Sequence, residues 1–113
     1  MLEPMTVFNH VVAVARQIHQ QVKKAKANQA QCQRLSQRIH CVTDALSGLH
    51  QLPDNAHFSR ALQSLQQLLE SILGFIKRFS QSHAFVQWLK AGTYAADFQA
   101  YTDQLAQSMQ DLN

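Results

Sequence analysis

Apolar residues recur along this chain in four separate stripes stepped by alternating threes and fours, a pattern that admits little besides packed helices. The first stripe is Phe8, Val11, Ala15, Ile18, Val22 and Ala25, and the second is Cys32, Leu35, Ile39, Val42, Leu46 and Leu49. The third is Phe58, Leu62, Leu65, Leu69, Ile72, Ile76 and Phe79. The fourth is Tyr94, Phe98, Tyr101 and Leu105, weakening through Ser108 to Leu112. Each step returns the chain to one face of a helix of about 3.6 residues per turn. Four such seams on 113 residues predict an all-α fold, an antiparallel four-helix bundle.

The breaks between stripes set the elements. Helices are expected over about 5–26, 29–50, 56–80 and 94–112, with a short additional one over 83–91, in a single domain spanning 1–113. Leu52-Pro53-Asp54-Asn55 reads as a turn in which Asp54 or Asn55 caps the third helix. Gly92 ends the short segment and Thr93 is placed to cap the last helix. Between the first two helices there is no Pro or Gly, so one continuous helix is conceivable. Continuing the first register would place Gln29 and Ser36 in the core, which favours a turn near Asn28. Leu68, Leu73 and Phe75 lie beside the third seam, and the amphipathic stretch with Phe85, Val86, Trp88 and Leu89 offers them a cover. Trp88 would also suit a membrane interface, but cover over the third helix is its more ordinary role.

Composition fits a packed helical domain and removes several function classes. Seventeen Gln, with only three Gly and two Pro, favour helix. The longest apolar run, Val11 to Ala15, is far below the ~20 residues that a spanning helix needs. Cys32 and Cys41 fall on one predicted helix about 13 Å apart by its rise, too far to pair with each other. Reduced thiols of a cytosolic protein are the simplest reading.

A carboxylate-bridged metal pair in a bundle core needs about four Glu and two Glu-x-x-His pairs. This chain has Glu3 and Glu70 alone, neither followed by His at that spacing. His10, His19 and His40 lack the spacing for joint ligation from one helix. No Gly-rich phosphate loop, nucleophile elbow or acid/base carboxylate pair is present. The expectation is no enzyme, no metal, no cofactor and no small-molecule substrate.

Charge is unevenly placed. Residues 1–50 carry a balance of +4 and residues 51–113 one of −1, and no acid lies between Arg16 and Arg38. A turn near Asn28 would gather Lys23, Lys24, Lys26, Arg34 and Arg38 near one bundle end. Lysines there complement the negative end of the first helix, and the same cluster can attract phosphate-bearing partners. Nucleic acid is the weakest such partner, because the segment has no interleaved aromatics and no recognition motif.

The residues around this segment resemble a known family. Ile18-His19, Lys23 to Lys26, Gln31-Cys32-Gln33-Arg34-Leu35 and Arg38-Ile39 are similar in order and spacing to the N-terminal domain of the mixed lineage kinase domain-like pseudokinases. So are Ile76-Lys77-Arg78-Phe79-Ser80, the stretch from Phe85 to Ala91 and the last helix from Phe98 to Leu112. The resemblance covers nearly the whole chain and rests on colinearity, with no single diagnostic motif. It implies a four-helix bundle of the HeLo-like kind that executes lytic cell death (necroptosis) in innate immunity.

Such bundles oligomerise, bind anionic phospholipids including phosphoinositides, and permeabilise the plasma membrane on moving there from the cytoplasm. A brace and a pseudokinase normally restrain them. The implied lipid contacts fall on Lys26, Arg34 and Arg38, with Lys23 and Lys24 in the same region. Gln29, Ala30 and Gln33 stand where some members carry further basic residues, which thins the patch. The alternative left open is a homotypic adaptor module that joins bundles without touching lipid.

Overall fold

Among the described residues, most of each stripe lies on a helix and faces the core. In the computed structural model these are α1 (Pro4–Lys24), α2 (Gln29–Ser47), α3 (Ala56–Gln81) and α4 (Gly92–Leu112). The structure describes residues 4–24, 29–49, 52–53, 55–81 and 92–112. No strand occurs among the described residues. The turn expected near Asn28 and the short helix expected over 83–91 lie outside them.

Helix α3 is the spine. Its 26 residues rise about 39 Å, most of the 47 Å long axis of the molecule. Leu62, Leu65, Leu69, Ile72 and Ile76 are all 0% exposed on its inner face. Helix α1 packs on α3 and α2, and α4 packs on α3 and α2. Helices α1 and α2 pair antiparallel, as do α3 and α4: His19 near the end of α1 meets Ser36 in the first half of α2, and His57 at the start of α3 meets Asp111 at the end of α4.

The third helix also buries Leu68, Leu73 and Phe75 beside its main seam. Phe75 is covered by α4, whose Phe98 ring meets it edge-on at 5.2 Å and whose Tyr101 ring lies tilted at 5.3 Å. The last helix thus takes part in covering Phe75, while the cover expected from 83–91 lies outside the described residues.

Local hydrogen bonds fix the α3 entry and the α2 exit. The Phe58 amide donates to Asn55 Oδ1 at 2.7 Å and the Ser59 amide to the Asn55 carbonyl at 3.1 Å, so Asn55 is the N-cap of α3. Helix α2 ends at Ser47, and Leu49, three residues past the last buried position Leu46, is 46% exposed rather than in the seam. The heptad step had carried it into the core, but the chain leaves helical geometry at Gly48.

Two other expectations shift by a residue or two. At the start of α1 the buried residue is Val7 at 2%, with Phe8 half-buried beside it, because steps of three and four back from Val11 reach either one. Helix α4 begins at Gly92, so Thr93 lies inside its first turn and not at the cap.

Gly74 interrupts α3 without serving it. A Cβ built there meets nothing within 4 Å, so the position needs no glycine on steric grounds. Replacing an interior helical glycine with alanine relieves about 0.5–1 kcal/mol of backbone entropy cost. Gly74→Ala is expected to raise the midpoint of urea unfolding without changing its slope, which equilibrium denaturation by circular dichroism checks.

Candidate basic binding surface

Folding lays two acid-poor helices side by side. Helix α1 contains no Asp or Glu, and the first acid on α2 is Asp44, near its end. Arg16, Lys23, Arg34 and Arg38 are exposed, and none forms an ion pair among the described residues. Asp44 is engaged by His40, whose Nε2 lies 3.4 Å from Asp44 Oδ2 one turn away. That pair is solvent-exposed and is charged only while the imidazole is protonated.

The structure separates the expected cations into two flanks of α2. Lys23 lines the shallow groove between α1 and α2 together with Arg16 and His19. His19 Nδ1 reaches Ser36 Oγ at 3.5 Å across that groove. Arg38 instead lines the groove between α2 and α4, beside Cys41, Val42, Leu105 and Met109. Arg34, one turn earlier on α2, is exposed. Lys24 is the last residue of α1, and Lys26 lies outside the described residues.

Arg16 and His19 were not singled out from sequence as contacts. The signal was there: Arg16 and Lys23 are one heptad apart, which returns them to the same flank of α1.

Thr43 Oγ1 donates to the His40 carbonyl at 3.0 Å and Ser47 Oγ to the Thr43 carbonyl at 2.9 Å, so both hydroxyl protons are held by backbone. Cys32 is 0% exposed, and burial pushes its thiol up from 9.0 to about 11. No group of three potential metal ligands occurs among the described residues. No described helix is long and apolar enough to cross a membrane.

The two free cysteines differ in a way that labelling reads directly, since Cys41 is exposed and Cys32 buried. Raising a thiol from 9.0 to about 11 lowers its thiolate fraction at neutral pH about 100-fold, and burial adds an access barrier. Iodoacetamide at neutral pH is therefore expected to modify Cys41 at least about 100-fold faster than Cys32. Peptide mass spectrometry over time distinguishes the two; equal rates would contradict the packing of α2.

The described residues form an all-helical module with exposed cations on α1 and α2. The chain belongs to the family described as the mixed lineage kinase domain-like N-terminal domain, which it matches over residues 8–113. That family is one of non-catalytic cell-death effector domains. No curated protein and no solved structure matches the chain.

Proposed function

We propose that this bundle docks from the cytoplasm on anionic phospholipid at the plasma membrane, gathers there into homo-oligomers and permeabilises the bilayer, a necroptosis-like lysis. The observation that carries docking is the unpaired exposure of Lys23, Arg34 and Arg38 on two helices that hold no acid before Asp44. Lys24 and Lys26 adjoin them along the chain and complete the proposed patch.

Each basic residue close to an anionic leaflet contributes about 1 kcal/mol, so five give useful yet reversible adsorption. The attraction decays over ~8 Å at physiological ionic strength, which makes it sensitive to salt and to headgroup charge density. The anionic phospholipids of this reading include phosphoinositides, with no class among them singled out, because Gln29, Ala30 and Gln33 thin the patch. Lysis then comes from amphipathic helix faces of several copies acting together. Nucleic acid has no part in it.

Co-sedimentation with vesicles of graded anionic content tests the docking. Lys23/Lys24/Lys26→Gln removes three charges and is expected to weaken binding by about 100-fold; Arg34/Arg38→Gln, removing two, by about 30-fold. Circular dichroism checks that both variants keep their helices. Unchanged binding in both would remove the patch from the reading. A wild type that ignores vesicles yet self-associates tightly in solution would point to the adaptor module instead.

A further inference from the structure

The outer face of α4 is the electrostatic opposite of the α1–α2 groove. Helix α4 carries Asp97, Asp103 and Asp111 and no Lys or Arg. All three are exposed, and none forms an ion pair among the described residues. Asp103 accepts a hydrogen bond from Gln99 at 2.9 Å and Asp111 one from Gln107 at 3.0 Å, both exposed contacts along the helix. Two surfaces of opposite sign thus face solvent on one small molecule.

The shapes also correspond. Ala96, Ala100, Asp103 and Gln107 are all exposed and spaced by four, three and four, which makes them one outward ridge opposite buried Phe98 and Leu105. The small side chains of Ala96 and Ala100 let the helix backbone approach a neighbour closely. The α1–α2 groove has half-buried Val12 and Ala15 on its floor and Arg16, His19 and Lys23 along its wall. From Val12 to Lys23 and from Ala96 to Gln107 the helical rise is the same, about 16 Å. Asp44, opposite the Val12 end, disfavours a second carboxylate there and directs it towards Arg16 and Lys23.

We infer that the α4 ridge of one copy seats in the α1–α2 groove of a second copy, so that bundles assemble head to tail. Helices α1 and α4 each pack on α2 and α3 and so sit across the bundle from one another, which leaves ridge and groove free to engage different neighbours at once. A contact between two different surfaces propagates into a ring or an open chain instead of stopping at a dimer. This gives the proposed oligomer its interface and rests on the self-association part of that reading, not on the lipid part.

Sedimentation velocity in lipid-free, low-salt buffer tests it. Wild type is expected to self-associate, and to do so less as salt rises. Arg16→Glu/His19→Glu, on the groove, and Asp103→Lys/Gln107→Lys, on the ridge, are each expected to weaken association at least about tenfold. An equimolar mixture of the two restores it, because each reversed surface then meets a complement on the other variant.

Monomeric wild type at every concentration, variants that associate as wild type does, or a mixture that stays dissociated would each overturn the inference. Ala96→Gln/Ala100→Gln, which thickens the ridge without changing charge and is expected to weaken association too, retains Lys23, Lys24, Lys26, Arg34 and Arg38. Its adsorption to anionic vesicles therefore reports on the membrane reading separately: assembly lost with adsorption kept supports both proposals.

Discussion

Leu65→Ala is expected to cost about 2–5 kcal/mol, a large fraction of the 5–15 kcal/mol that holds a domain of this size together. Leu65 sits midway along α3 at 0% exposure, flanked on the same face by Leu62 and Leu69 at the same value. Truncation removes its transfer free energy and leaves a cavity that α3 cannot close without drawing α1 or α4 inward. The melting temperature should fall by roughly 10–20 °C. Exposed Gln67, two residues on, is the matched control, and Gln67→Ala should stay within about 0.5 kcal/mol. Equal losses at the two positions would contradict the register of α3.

Phe75→Ala is expected to cost about 3–5 kcal/mol, and its loss has a direction. Phe75 is 5% exposed, with Phe98 and Tyr101 of α4 packed against its ring. The edge-on Phe75–Phe98 pair contributes about 0.5–1.5 kcal/mol beyond area burial. A double-mutant cycle with Phe98→Leu should therefore return a coupling of about that size. Coupling near zero would mean that α4 does not close over this part of α3.

The same pair shows where reading the sequence stops. Heptad steps placed Leu35, Ile39, Val42, Leu62, Leu65 and Leu69 because each lies mid-helix, where periodicity and burial coincide. They failed at Leu49, where the helix had already ended, and chose Phe8 over the more deeply buried Val7 at the first turn. Phe75 posed a different problem. Its position beside the seam revealed that something covers α3, but the identity of the cover depends on which helix packs on which flank. Periodicity carries no such information; only the α3–α4 contact supplies it.

For the surface, charge counting alone located the stretch from Arg16 to Arg38 that holds no acid, and its described cations Arg16, Lys23, Arg34 and Arg38 are exposed. It did not reveal that α2 separates Lys23 from Arg38, because flank assignment requires knowing that α1 and α4 lie on opposite sides of α2. Nor did it mark Arg16, which gains meaning only from sharing a groove with His19 and Lys23.

Release of dye from sealed vesicles tests the central claim, that this bundle breaches anionic membrane as an assembly, most directly. With wild-type protein the rate of leakage should rise with anionic lipid content and increase more steeply than in proportion to protein concentration, as an assembling species requires. Neutral vesicles should stay sealed, and added salt should suppress release. No leakage at any anionic content from protein that circular dichroism shows to be helical, or equal leakage from neutral vesicles, would contradict the account.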